Sequence, residues 1–326
     1  MKYVDAIQNG FDYLLVTYPE LLILGQGLWS PFYVGRSLHG LDQKYGRERV
    51  IDTPISENAA TGVALGAAIA GSKAVIIHPR MDFMILAVDQ IVNEAAKWRY
   101  MLASNEDIPL TIRGIINRGG EQGAQHSQAL HSWFAHIPGL RVVMPATPSD
   151  ARNLLIQSVE CPDPVIYIDD RWCYEFDEEV DLSRQPGPLS SEKPHTVRSG
   201  NDITLVGIGF STLLCLDVAE HLSVDNISCE VIDLRVLNPL NIAPIVTSVN
   251  KTRRLVVVDG GWKNAGMAAE IIASVAESFK SSWNSPPLRI TLPDTPAPSS
   301  SVLESIYYPS ISDISLQIMK LMGTSH

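Results

Sequence analysis

The sequence predicts an α/β protein built from two parallel-sheet domains. Three observations carry that prediction. Short apolar runs alternate with longer stretches of helical period. Residues 186–201 then lose all periodicity and are rich in Pro, Gly and Ser. Beyond them the β-α rhythm resumes. Alternation of this kind implies adjacent parallel strands with helices on both faces. The domains are therefore expected at 1–185 and 202–326, joined by a linker at 186–201.

In chain order, MKYVDAIQNGFDYLLVTYPE reads as an amphipathic helix. Acids at Asp5 and Asp12, with no small-residue cleavage site, argue against a signal peptide. LLILG (21–25), AVIIH (74–78) and PLTIRGI (109–115) read as strands, and 57–71 and 83–102 as helices. RVVMP (141–145) is a strand. TPSDARNLLIQSV is a helix with Thr147 or Ser149 as its cap and Asp150 in its first turn. PVIYID (164–169) closes the first domain. In the second, DITLVGIG, ISCEVIDL and RLVVVDGG are strands, and STLLCLDVAEHL, NIAPIVTSVNKT and NAGMAAEIIASVAESF are helices.

A formal net charge of −11 over 326 residues argues against nucleic acid or an anionic membrane as a partner, since both select a basic face. No apolar run reaches the roughly 18–20 residues of a spanning helix. Cys161, Cys173, Cys215 and Cys229 have no CxxC spacing. They read as buried thiols in a reducing cytoplasm, not as disulfides or metal ligands.

Four stretches carry candidate chemistry. In DTPISENAATG, Thr53, Ser56 or Asn58 can cap a helix whose first turn holds Glu57. An acid there is favoured by the helix dipole alone, or it is aimed at a ligand. In GAQHSQALHSWFAHIPGLRVVMP, His126, His131 and His136 are five residues apart, which is not the i, i+4 spacing of a helical metal pair. His126 follows the glycine-rich RGGEQGAQ, and a loop histidine in that setting can do acid–base work. GIGFST (207–212) and DGGWKNAG (259–266) are strand-to-helix turns. They lack the G-x-G-x-x-G pattern and read as tight turns before phosphate sites.

RVIDTPISE, MDFMILAVDQIVNEAAKWRYM, GAQHSQALHSWFAHIPGLRVVMP, EVIDLRVLNPL and RLVVVDGGWKNAGMAAEI occur in that order. Together they resemble the beta subunit of thiamine-diphosphate-dependent 2-oxo acid dehydrogenases of the pyruvate or branched-chain type, relatives of transketolase. The resemblance spans nearly the whole chain. It implies a pyrimidine-binding domain followed by a transketolase-type C-terminal domain. It also implies an alpha subunit whose GDG motif holds Mg²⁺ and the diphosphate, in an α2β2 assembly; this chain has no GDG. By resemblance, Glu57 hydrogen-bonds N1′ of the aminopyrimidine as a carboxyl of raised pKa in an apolar pocket, favouring the imino form that activates the thiazolium. Phe83 packs on the aminopyrimidine. His126 lies near the reactive carbon and handles the substrate or the incoming lipoyl group.

The chain departs from the family at several places. Where the family commonly reads E-I-Q-F-M-D-F, this chain has Ile77-His78-Pro79-Arg80-Met81-Asp82-Phe83. Arg80 either reaches the cavity and favours an anionic or polar substrate, or turns to the subunit interface. The family's G-E-D-V is Gly25-Gln26-Gly27-Leu28, losing an acid. A K⁺ ion bound by some relatives would fall near Ser158, Val159, Cys161 and Asp163, where SVECPD puts it in question.

The leading expectation is a beta subunit that helps decarboxylate a 2-oxo acid and pass the acyl group to a lipoyl acyltransferase. A two-chain carboligase or split transketolase would keep the cofactor and use an aldehyde or ketone acceptor. A non-catalytic scaffold is the third reading, and the presence of Glu57, Phe83 and His126 argues against it.

Overall fold

Six strands in the N-terminal half lie parallel: β1 (Leu22–Gly25), β2 (Val50–Asp52), β3 (Ala74–His78), β4 (Leu110–Ile116), β5 (Arg141–Val143) and β6 (Val165–Asp170). Their order is β5-β6-β4-β3-β1-β2. Every residue of β3, β4 and β6 is buried, as a parallel sheet covered on both faces requires. The computed structural model describes residues 1–323. It divides them into two units: Met1–Arg118 with Trp133–Glu192, and Gly119–Ser132 with the chain from Lys193 onward.

In the first unit α1 (Tyr3–Thr17) packs on α7 (Pro148–Glu160), a Cβ on Gly10 falling 3.2 Å from Leu155, and Ile7, Phe11 and Leu14 are buried at helical spacing. Thr147 caps α7, its side chain accepting from the Asp150 amide at 3.3 Å, which selects one of the two expected caps. Between the early elements sit α2 (Leu41–Tyr45) and α3 (Glu57–Ile69), the latter packed on β3.

The core of this unit also holds a charge. Arg113, on β4, is fully buried and makes a bidentate pair with Asp169, Nε to Oδ1 at 2.8 Å and Nη2 to Oδ2 at 2.9 Å. Its remaining donors reach Ser37 Oγ at 2.8 Å and the Tyr174 hydroxyl at 3.1 Å. Tyr174 in turn donates to Asp169 Oδ2 at 2.6 Å. Burial opposes the guanidinium charge, but Asp169 and Tyr174 more than offset it and hold the pKa above its usual value.

The second unit has a sheet in the order β12-β11-β8-β9-β7. Its strands are β7 (His195–Arg198), β8 (Ile203–Gly207), β9 (Cys229–Asp233), β11 (Leu255–Trp262) and β12 (Leu288–Leu292); a short β10 (Val236–Asn238) follows β9. All pairings are parallel except that of β7 with β9. Helices α8 (Phe210–Ser223), α9 (Ala243–Thr252), α10 (Met267–Ser278), α11 (Ser301–Tyr307) and α12 (Ile311–Met322) complete it. A capping box of Ser310 and Asp313 starts α12.

Two segments differ from the sequence expectation. The stretch 186–201 is not all linker, because His195–Arg198 forms an edge strand. Thr196 and Val197 are β-branched, and Val197 packs on the second core. The helix expected over 83–102 is wound unevenly: α4 (Met81–Met84), a 3₁₀ turn at Ile85–Ala87, a π segment at Asp89–Ala95 and α5 (Trp98–Met101). The buried residues Ala87, Ile91 and Ala95 recur every four positions. Winding wider than about 3.6 residues per turn keeps such positions in line.

Candidate functional site

Parallel α/β sheets offer ligand sites at the carboxyl ends of their strands. Glu57 follows the carboxyl end of β2 and opens α3. Its side chain is half-buried and makes no hydrogen bond to a described residue. Ser56 stands at the cap position without capping the helix through its side chain. The capping account is therefore weak, and the carboxyl is left available.

One turn along α3, Thr61 is buried, and its Oγ1 lies 3.3 Å from Nε2 of His78 at the end of β3. Burial pushes the His78 pKa down from 6.5 to about 4. A histidine held neutral in the fold and free to protonate when unfolded lowers stability as pH falls from 6.5 towards 4. About 3 kcal/mol should be lost across that window from this group. Denaturant unfolding of wild type and His78→Phe at pH 7 and pH 4.5 checks this: the variant should lose less on acidification.

Arg80 precedes α4, and Phe83 sits within it. Phe83 presents its ring at 36% exposure, while Met81 and Met84 turn into the core. Arg80 is half-buried, its Nη1 donating to the Pro79 carbonyl at 3.1 Å. Burial, then the charge of Arg171, lowers its pKa. Two guanidinium groups thus lie within electrostatic reach of each other at this edge of the first unit.

The three histidines of the central segment part company. His126 is half-buried, His131 is buried and His136 is exposed. Among the described residues no group of three or more His, Cys, Asp or Glu could hold a metal ion. His126 lies in a loop with left-handed backbone at Gly119, Gly120, Glu121 and Gly123. Its amide donates to the Gly123 carbonyl at 3.4 Å, and Ser127 Oγ donates to the same oxygen at 2.9 Å.

His131 was not singled out by sequence. It opens α6 (His131–Ala135), and its Nε2 lies 3.0 Å from Oδ1 of Asp259, near the end of β11. Neither ring nitrogen meets hydrogen-bond geometry with a described residue, so the approach to Asp259 is a close polar contact. Asp259 also accepts from the amides of Gly261 at 2.8 Å and Ala268 at 3.2 Å. Burial would raise the Asp259 pKa; the His131 charge and these donors outweigh it and hold the carboxyl below its usual value. No spacing rule links a histidine in ALHSW to an acid in VVVDGG, so pattern reading had no route to the pair.

The glycine turns are tight turns, as expected. A Cβ on Gly207 would lie 2.6 Å from the Thr212 nitrogen, and one on Gly266 would lie 2.3 Å from the Trp262 carbonyl. Thr212 donates to Asp233 at 3.0 Å, so this turn already carries an acid.

The SVECPD segment commits its acceptors to protein donors. Lys73 Nζ reaches the Val159 carbonyl at 3.4 Å, and the Ile108 amide takes that of Pro162 at 2.9 Å. Asp163 pairs with Arg99 at 2.5 Å and Arg141 at 2.9 Å. Three protein cations, Lys73, Arg99 and Arg141, thus contact this segment.

Comparison with known proteins decides the family. Residues 1–174 match the model "Transketolase, pyrimidine binding domain", and residues 192–314 match "Transketolase, C-terminal domain". The chain is 38% identical to the mitochondrial pyruvate dehydrogenase E1 component subunit beta-1 of Arabidopsis thaliana, over 95% of this chain and 86% of that protein. The chain belongs to the E1-beta-like family of thiamine-diphosphate-dependent enzymes. Within that family it is also 39% identical to the acetoin:2,6-dichlorophenolindophenol oxidoreductase subunit beta of Bacillus subtilis, over 87% of this chain and 82% of that one. The human mitochondrial pyruvate dehydrogenase E1 beta subunit is 34% identical over 98% of this chain and 90% of its own. In fold, the chain resembles a split gene transketolase described as an inactive beta4 tetramer, with a TM-score of 0.80 at 19% identity, covering 98% of each chain. The two-domain α/β architecture expected from sequence is that of the family. No described helix is long and apolar enough to cross a membrane.

Proposed function

We propose that this chain is the beta subunit of a two-chain thiamine-diphosphate enzyme that decarboxylates a 2-oxo acid and transfers the acyl group to a lipoyl acyltransferase. The observation that carries the reading is Glu57: an acid at the mouth of α3, half-buried, with no partner among the described residues. A free carboxyl and an exposed Phe83 ring fit the aminopyrimidine half of the cofactor. The chain lacks the Gly-Asp-Gly that would hold Mg²⁺ and diphosphate, so that half falls to an alpha subunit in an α2β2 assembly. Around Glu57 the surface is apolar and open: Ile55 is 75% exposed, and Val63 and Leu86 are each 61% exposed. A partner covering this face would complete the pocket that Glu57 needs.

Thiamine diphosphate, when bound, supplies the electron sink for decarboxylation. Glu57 holds a proton for the ring nitrogen N1′ through a carboxyl oxygen. Phe83 covers the apolar face of the pyrimidine and excludes water. The His126 imidazole holds or delivers a proton at the substrate or the acyl acceptor. Four cysteines, all buried and in no disulfide, suit a reducing compartment such as the cytoplasm.

Arg80 supports a polar or anionic substrate, because a second guanidinium lies within its field. Arg80→Phe should lower kcat/KM for a 2-oxo acid with a second carboxylate by ~10-fold relative to pyruvate, the scale of one lost charge-assisted contact. A 2-oxo acid panel on both enzymes measures it, and an unchanged ranking removes Arg80 from the substrate site.

The acetoin-enzyme relative favours a second reading, in which the carbon–carbon bond of a hydroxyketone, not a carboxylate, is broken or formed. Purifying the chain from its source with its native partners, then assaying CO₂ release with and without a lipoyl domain, separates the two. Lipoyl-dependent acyl transfer supports the dehydrogenase. Carbon–carbon chemistry without lipoyl protein supports the second.

A further inference from the structure

We propose that His131 and Asp259 are positioning residues for His126, and that the C-terminal unit thereby sets the geometry of that histidine. The inference rests on the reading of His126 as a proton-handling group.

The segment Gly119–Ser132 leaves β4 and packs with the second unit. It is anchored on both sides of His126, five residues away in each direction. At the near anchor Glu121 takes a left-handed backbone, φ 62°, which a residue with a Cβ adopts only when its surroundings impose it. Its amide donates to both oxygens of Glu304, at 3.0 and 3.1 Å. Its own carboxylate accepts from the Ser301 amide at the start of α11, at 2.9 Å.

The far anchor is the His131–Asp259 contact, with side chains 1% and 0% exposed. Gly261 packs beneath it: a Cβ there would stand 3.1 Å from His131 Cε1 and 3.2 Å from Asp259 Oδ1. The aspartate cannot drift, because two backbone amides hold it. With both ends fixed, the loop between them has little freedom, and His126 is at its middle.

A buried polar contact is a poor choice if stability were the only demand. Apolar residues of similar volume often hold a buried site as well or better. An imidazole seated against a fixed carboxylate instead sets a ring and its backbone in one orientation. The position of His126 is what that orientation would fix, and a displacement of about 1 Å at a reacting group costs up to ~100-fold in rate.

The test uses the assembled alpha–beta complex and the variants His131→Leu, His131→Gln, Asp259→Asn and His126→Ala. His131→Leu and Asp259→Asn should lower kcat by ~10–100-fold while KM for the 2-oxo acid stays within about twofold. Gln can still donate to Asp259, so His131→Gln should recover part of the loss. Hydrogen exchange on the full chain should quicken at amides 122–130 and stay unchanged in β8 and β9. Asp259→Asn, nearest in shape, serves if His131→Leu does not fold. An inactive His126→Ala beside fully active His131→Leu and Asp259→Asn overturns the inference alone. So does exchange that rises throughout the second unit, which marks a purely structural role. A fully active His126→Ala overturns the reading of His126 and this inference with it.

Discussion

Replacing Glu57 with Ala is expected to lower turnover of the assembled complex by ~100- to 10,000-fold, the range that a positioned proton donor contributes. The reason is its placement. Glu57 opens α3 and has no hydrogen-bond partner among the described residues. Removing it breaks no hydrogen bond or ion pair to a described residue, so the fold should be nearly untouched. The measurement pairs steady-state turnover with unfolding of the isolated chain. Lost turnover at unchanged stability identifies the carboxyl as chemistry. Retained turnover would return the chain to the scaffold reading. Glu57→Gln refines the result, since an amide keeps the shape and a hydrogen bond but cannot exchange the proton. It should be as inactive as Glu57→Ala if proton transfer is the role, and partly active if orientation alone matters.

Asp169→Ala should be the most destabilising single change in the first unit, at roughly 3–5 kcal/mol. It strands the Arg113 guanidinium among Tyr174, Ser37 and the Phe11 ring, fully buried, with its carboxylate gone. Chemical denaturation should show the loss in the midpoint. Adding Arg113→Met removes the orphaned charge and should restore much of the stability, leaving the Ser37 and Tyr174 hydroxyls as the residual cost. A double variant no better than Asp169→Ala would mean that the charge itself is not what matters.

Much of this architecture was legible in the sequence because the strands are short, apolar and separated by helices of clear period. AVIIH, LTIRGII and VIYIDD all became strands buried throughout. The elements that escaped lack such a signal. β7 lies in a Pro- and Ser-rich stretch where only Thr196 and Val197 favour a strand. The π segment obeys helical spacing and differs only in winding, to which composition is blind. Site residues divide in the same way. Glu57, Phe83 and His126 sit in recognisable motifs, and the roles proposed for them came from resemblance, whereas Arg80 stood out as a departure from it. His131 and Asp259 meet only through the fold. Their sole local hint was a histidine between Leu130 and Ser132, which is also how a quiet core histidine looks.

The placement of Gly119–Ser132 also bears on how the chain matures. Translation delivers this stretch long before β11, α11 and the residues that receive it. A nascent chain carrying only the first half can pair β1, β3 and β4, yet has nothing against which to fasten the His126 loop. Its glycines then leave it an open, flexible strap on the ribosome. The fastening of this loop therefore comes late, when Asp259 and Glu304 have emerged. Polypeptides cut short before those residues would carry His126 on a loop that lacks both of its anchors.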